Sequence, residues 1–269
     1  MSFSYPNRTG FPKPVFQNFN LEIPRGRYLA LMGPNGSGKS TLGKIIKGIL
    51  TPSSGQVRIE GEALKPQEIS PRVGYMFSNP ENQIVSSIVE EDVAFGLANR
   101  GMDSLSMFQR VQESLRLVGM EAYRFHPPHM LSGGEQQKVV LAGILAMESE
   151  FLVLDEPTSM LDFQARTEIV TLFSHIQHRG QKTILHITHS FEEALIAHEL
   201  LYLDEGQIRF HGSPWEFLVN HAKFKFSLES CPPFYRLLEG LRERSHRIPM
   251  EIRTEEDLRR FLLGQEKEG

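Results

Sequence analysis

The chain has 269 residues, a formal net charge of -4 and 40% hydrophobic residues, enough for one large packed domain or a domain with an appendage. Lys and Arg are scattered rather than gathered in one block, which gives no support to a nucleic-acid partner. The single cysteine, Cys231, rules out an internal disulfide and fits a reducing, cytoplasmic setting. Met1 to Pro6 has neither the charged start nor the apolar run of a signal peptide. The longest apolar stretch, Val139 to Met147, is too short to cross a bilayer, so any membrane part is expected from other subunits.

Taken in chain order, Val15 to Ile23 alternates in polarity and reads as a strand closed by the turn Pro24-Arg25-Gly26. Tyr28 to Met32 is an almost wholly apolar run of the kind buried in a parallel sheet. It runs directly into Gly33-Pro34-Asn35-Gly36-Ser37-Gly38-Lys39-Ser40, and Thr41 to Leu50 has helical spacing. This strand–loop–helix context is what a phosphate-cradling loop requires, and the segment matches G-x-x-x-x-G-K-[ST] at every fixed position. The glycines let backbone N–H groups converge on phosphate oxygens, aided by the positive end of the following helix. Lys39 is placed to reach the β- and γ-phosphates, and the Ser40 hydroxyl to ligate Mg²⁺.

Gln56 to Glu60 and Arg72 to Phe77 read as further strands, and Glu81 to Met147 is rich in helical periodicity, as of an inserted subdomain. Within it, Leu131-Ser132-Gly133-Gly134-Glu135 has the capping-box spacing of Ser132 and Glu135. It reads either as a capped helix alone or as an anion site presented to a phosphate held by another subunit. Phe151 to Leu154 is a second buried strand, ending in Asp155-Glu156. Asp155 suits a Mg²⁺ partner beside the phosphate loop, and Glu156, on the other side of the strand end, is placed to polarise an attacking water.

Ala165 to Gln177 reads as a helix, Thr183 to Ile187 as a strand, Phe191 to His198 as a helix, and Leu200 to Phe210 as a hairpin around Asp204-Glu205-Gly206. Strands alternating with helices predict an α/β sheet with helices on its faces. From about Asn220 the character changes. Cys231-Pro232-Pro233 breaks the chain, and Phe234, Leu237, Leu238 and Leu241 fall on one helical face. Thr254 stands before Glu255-Glu256-Asp257 and the apolar Leu258, Phe261 and Leu262, a helix start with an acidic first turn. His126 with His129, and His186 with His189, are too few to make a metal site. Asn7-Arg8-Thr9 matches a glycosylation acceptor but carries no weight without a secretion signal.

The phosphate loop, Leu131 to Glu135, Phe151 to Glu156, Ser159-Met160-Leu161-Asp162 and His189 stand in the order that resembles the ABC-type ATPases. The resemblance implies a P-loop NTPase (RecA-like) core with an inserted helical subdomain, and two such domains paired head to tail around ATP and Mg²⁺. It further implies that Gly33 to Ser40 and Thr41 of one subunit and Ser132, Gly133, Gly134 and Glu135 of the other hold each nucleotide. Glu156 would be the general base, His189 the switch histidine that contacts the γ-phosphate, Ser159 to Asp162 the loop between the two sites, and Tyr5 the adenine-stacking ring. One position departs from the pattern. Ser78 stands where the family usually has a glutamine, so that a water, Asn79 or Gln83 must substitute, or this site is slow.

Asn79-Pro80-Glu81-Asn82-Gln83-Ile84-Val85, Glu90 to Gly96, Leu141 to Met147 and the tail are similar to the ATPase subunits of energy-coupling-factor (ECF) transporters. The expected organisation is a nucleotide-binding domain over residues 1–219, with a helical subdomain at about 82–147 and a C-terminal extension at 220–269 that aids dimerisation. The implied partners are a second ATPase subunit, in a homo- or heterodimer, and integral membrane subunits for transmembrane passage and substrate binding, at the cytoplasmic face of the membrane. The long coiled coil of DNA-repair members and the tandem domains of translation factors are absent from this sequence. Members also usually carry several strand residues ahead of the Phe3 to Pro6 segment, so either a shortened chain or a shifted start is expected.

Overall fold

A computed structural model of the chain describes residues 1–6, 13–180, 182–224, 226, 231–244, 248–249, 252 and 255–265. Asn7-Arg8-Thr9 and Thr254 lie outside the described residues, as does the side chain of Leu262. The elements in chain order are β1 Phe3–Tyr5, β2 Lys13–Phe16, β3 Tyr28–Met32, α1 Lys39–Lys47, β4 Arg58–Ile59, β5 Glu62–Ala63 and β6 Val73–Met76. Then come α2 Val89–Asn99, α3 Ser104–Leu117, α4 Gly133–Ala146, β7 Phe151–Asp155, α5 Phe163–Gly180 and β8 Thr183–Ile187. Last are α6 Phe191–Ala194, β9 Glu199–Asp204, β10 Gln207–Gly212, α7 Pro214–Val219, α8 Pro233–Glu243 and α9 Glu255–Gln265.

Six strands form the central sheet in the order β10-β9-β3-β8-β7-β6, parallel except for the antiparallel edge strand β10. Helices cover both faces, which is why β3 and β8 are buried at every position rather than at alternate ones. The pleat sends successive side chains to opposite faces. Leu29, Leu31, Val73, Tyr75, Val153, Leu185 and Ile187 pack with Leu42 and Ile45 of α1. Tyr28, Ala30, Met32, Met76, Leu152, Leu154 and Ile184 pack on the other face, in one cluster with Ile169 and Phe173 of α5. That cluster continues without a break into Val93, Leu97, Leu115 and Val139 of α2, α3 and α4. The helical insertion therefore shares its core with the sheet.

The strand expected over Gln56 to Glu60 is only Arg58–Ile59, in a separate ribbon with β5, and three larger differences from the sequence reading stand out. The strand expected over Val15 to Ile23 is Lys13–Phe16, paired with β1, and the chain from 17 to 27 is irregular, with Phe19 buried in the core. The helix expected over Phe191 to His198 ends at Ala194, because the chain must turn at once so that the His198 N–H reaches the Tyr28 carbonyl and Glu199 enters β9. In α8, Phe234, Leu238 and Leu241 form the apolar strip with Leu258 and Phe261 of α9, whereas Leu237 at its margin is 54% exposed. The rings of Tyr235 and Trp215, 5.1 Å apart, join this small second core to the main body.

At Gly33 and Gly38 the phosphate loop is seated by contacts that leave no room for a side chain. Gly33 has φ 147°, and a Cβ there would lie 1.9 Å from the Leu203 carbonyl oxygen of β9. A Cβ on Gly38, at φ 110°, would lie 2.8 Å from the Phe16 ring. Backbone cannot yield as a flexible side chain can, so Gly33→Ala is expected to destabilise the chain by about 2 kcal/mol or more. A urea-unfolding midpoint equal to that of the parent chain would show that the loop is not pinned to β9 in this way.

Candidate active site

The parity of the sheet decides what meets the phosphate loop. Asp155 follows Phe151 and Val153 on the α1 face, and its Oδ1 accepts a 2.8 Å hydrogen bond from Ser40 Oγ. Its Oδ2 accepts a 2.6 Å bond from the Tyr75 hydroxyl. Tyr75 lies on the same face of the neighbouring strand β6, with Tyr75 in register with Val153. Burial, together with the charge and hydrogen bond of Asp155, holds the Tyr75 phenol far above its ordinary pKa, so it remains a donor. Ser40 and Asp155 offer hard oxygen atoms at one point beside the loop, a donor set suited to a small divalent cation that keeps several waters.

Lys39 is 5% exposed, and its Nζ donates to the Gly33 and Pro34 carbonyls at 2.9 and 3.0 Å. Burial lowers its pKa, opposed by the nearby charges of Glu156 and Asp155. A buried ammonium held only by neutral carbonyls is ready to exchange them for anionic oxygens. The loop closes on itself through Ser37 N–H to the Pro34 carbonyl at 3.3 Å, while the buried Ser37 hydroxyl has no protein partner. Gly36 has φ 80° with open space where a Cβ would stand, and Asn35 beside it is exposed. Tyr5 is 38% exposed, and its hydroxyl lies 3.1 Å from Thr41 Oγ1, so an aromatic ring stands at the first turn of α1.

Beyond Asp155 the chain leaves β7 with Glu156 at φ 52°, a conformation unusual for a residue with a side chain and a mark of local strain. Its amide donates to the Ile187 carbonyl at 3.0 Å, tying the end of β7 to the end of β8. Its Oε1 lies 2.8 Å from His189 Nε2, and both side chains are partly exposed. His189 thus meets Glu156, whereas His186, three residues earlier, is fully buried with its Nδ1 3.1 Å from the Tyr28 hydroxyl. Asp162 caps α5 by accepting from the Ala165 N–H at 2.9 Å, in the loop that follows Glu156.

Ser132 and Glu135 form a complete capping box at the start of α4. The Ser132 hydroxyl and N–H both donate to Glu135 Oε2 at 2.8 Å, which holds the Glu135 carboxyl below its ordinary pKa. Glu135 is therefore turned back on its own helix end, while Ser132 and Gly133 are exposed. Gly134 lies against α5, where a Cβ would be 3.0 Å from that of Ala165. These residues form the start of α4, whereas the loop, Asp155, Glu156 and His189 stand at the ends of β3, β7 and β8.

At Ser78 the two amides offered as substitutes for the glutamine are already engaged. Gln83 donates to the Tyr75 carbonyl at 2.9 Å and accepts from the Phe77 N–H at 3.1 Å. Asn79 caps the short turn after it by accepting from the Glu81 N–H at 3.0 Å. Tyr75 escaped the sequence reading because nothing in a strand pattern marks a tyrosine as an aspartate's partner. Only its parity with Val153 across the strand pair carries that signal.

The family signature described as ABC transporter matches residues 16–159. The energy-coupling factor transporter ATP-binding protein EcfA1 of Caldanaerobacter subterraneus subsp. tengcongensis is 38% identical over 266 residues, which is 97% of this chain and 96% of that one. EcfA1 of Symbiobacterium thermophilum is 40% identical over 243 residues, 89% of this chain and 85% of its own. Among solved structures, cbiO1 from Clostridium perfringens, part of the ABC transporter complex cbiONQ, superposes with a TM-score of 0.74 at 31% identity, covering 88% of this chain and 96% of that one. The ATP-binding cassette MJ0796, a dimer bound to ADP and Pi, gives 0.70 at 28% identity, covering 79% and 96%. The chain belongs to the ABC transporter ATPases and, within them, to the family of energy-coupling factor transporter ATP-binding proteins.

Proposed function

We propose that this ATPase drives uptake of a metal ion or vitamin through separate membrane subunits, using ATP held on the Gly33 to Ser40 loop. The observation that carries the reading is the convergence of Lys39, the Ser40–Asp155 pair and the Glu156–His189 pair at adjoining strand ends. In this reading Lys39 gives up the carbonyls of Gly33 and Pro34 for the β- and γ-phosphate oxygens. Ser40 and Asp155 hold Mg²⁺, which when bound neutralises phosphate charge. Tyr75 keeps Asp155 fixed, Glu156 takes the proton of the attacking water, and His189 holds the carboxylate of Glu156 toward the γ-phosphate. Tyr5 stacks on the adenine.

The exposed α4 end, Ser132 to Glu135, serves the nucleotide of a second ATPase subunit. Its N–H groups and positive helix end meet the γ-phosphate, and Glu135 shapes the end by capping rather than by touching an anion. Asp162 sets the loop between the two sites. The unit that does this spans residues 1–219, with the helical subdomain at about 82–147, and the extension at 220–269 aids pairing. A groove of about 320 Å³ between β6 and the helical insertion, lined by Val85, Phe95, Ile69 and Ile144, is the proposed seat for a membrane subunit at the cytoplasmic face. Among the described residues no helix is long and apolar enough to cross a membrane, which leaves transport itself to such a partner.

A second reading, slow intrinsic hydrolysis, is favoured by Ser78 together with the engagement of Gln83 and Asn79. Restoring the longer amide with Ser78→Gln is expected to raise the ATPase rate of the chain measured alone, and an unchanged or lower rate would remove this reading. Glu156→Gln is expected to cut turnover by roughly 10²–10⁴, the usual worth of a general base, with ATP binding retained. Near-normal hydrolysis in that variant would take the base role from Glu156. Tyr75→Phe is expected to weaken Mn²⁺ binding to the nucleotide-loaded chain by about tenfold, as loss of a ligand's supporting partner commonly does. Metal-free nucleotide affinity should not change. Equal Mn²⁺ titrations, read by electron paramagnetic resonance, would mean that Tyr75 only packs.

A further inference from the structure

Behind the Glu156–His189 pair lies a buried carboxylate that the steps above do not use. Glu193 of α6 is 3% exposed. Its Oε1 accepts from Thr158 Oγ1 at 2.6 Å, and its Oε2 accepts from Thr188 Oγ1 at 2.6 Å. Arg166 Nε stands 3.7 Å from Oε1, and His186 Nε2 stands 3.4 Å from Oε2. Thr158 follows Glu156 by two residues, and Thr188 immediately precedes His189. The Thr188 hydroxyl also accepts from the Ser190 N–H at 3.0 Å, so the grip extends past the histidine.

We infer that Glu193 is a positioning residue for ATP hydrolysis: one carboxylate, shared between Thr158 and Thr188, locks the exits of β7 and β8 together so that Glu156 and His189 meet. The inference rests on the reading of Glu156 as base. A carboxylate suits the task because it is acceptor-only and has two oxygens, one for each segment. Burying such a charge is costly unless it is paired and hydrogen-bonded, and here it is both. Burial works to raise the Glu193 pKa, but His186, Thr158 and Thr188 outweigh it and bring the carboxyl down to about 2, so it is ionised in the working enzyme. The strain at Glu156 adds a reason for the grip, since a residue held at φ 52° stays there only when its surroundings fix it.

The test uses the full chain carrying Glu193→Gln or Glu193→Asp, the second of which keeps the charge but lacks the reach to hold both hydroxyls. In both, turnover is expected to fall by up to roughly 10²-fold, the cost of a misplacement of about 1 Å, with ATP affinity within about twofold of the parent. In a Glu156→Gln background the Glu193→Gln change should add almost nothing, because the two act through one unit. The ring resonance of His189 in ¹⁵N-histidine spectra, identified by its loss in His189→Asn, should move on Glu193→Gln. An unmoved His189 resonance, an additive loss, or full activity in Glu193→Asp would overturn the inference. Near-normal hydrolysis in Glu156→Gln alone would instead overturn the base reading, and the His189 resonance would still decide whether Glu193 fixes the pair. Should Glu193→Gln fail to fold, Thr158→Val removes one arm of the grip and carries the same readouts.

Discussion

The 2.8 Å hydrogen bond from Ser40 to Asp155 is the contact on which the rest of the site depends. It ties the first turn of α1, and with it the phosphate loop, to the end of a buried strand that begins more than a hundred residues later in the chain. The bond exists because the pleat of β7 sends Asp155 to the same face as Val153, toward α1. A register slip of one residue would put Glu156 there instead and send Asp155 to the opposite face. Everything downstream inherits this parity: Tyr75 meets Asp155 from β6, and Glu156 emerges on the other side to meet His189.

Electrostatics and packing divide the work between two levels. At the strand ends the partly exposed Glu156–His189 pair stands close to the buried Lys39, whose charge Glu156 and Asp155 both favour. Behind that pair, the buried Glu193 carboxylate takes a hydroxyl on each oxygen, with the His186 imidazole and the Arg166 guanidinium nearby. A buried group of this kind is poor evidence for stability, since an apolar replacement often costs nothing. Its worth lies in specifying one arrangement of the segments it joins.

How much of this the sequence carried follows from what each signal depends on. The phosphate loop, β3, β7 and β8 were legible because they are local: fixed glycine spacing and short apolar runs with no tertiary requirement. The capping box at Ser132 and Glu135 was legible for the same reason. The length of α6 was not, because its end is set by the reach of His198 to Tyr28 on a distant strand. Alternation made Val15 to Ile23 look like one strand, although Phe19 is buried from an irregular segment. Tyr75 and Glu193 passed unnoticed, since a tyrosine in a strand and a glutamate in a helix become informative only when their partners are known.

In the proposed function the chain holds the base, the metal-ligand pair and the phosphate loop together, and offers Ser132 to Glu135 to another subunit. The central claim is therefore that the chain carries two halves of two sites rather than one whole site. Specific ATPase activity followed through dilution, with sedimentation recording the state of assembly at each concentration, tests it most directly. The account predicts that activity per chain collapses as assemblies dissociate to monomers. A monomer that retained the full specific activity would contradict it.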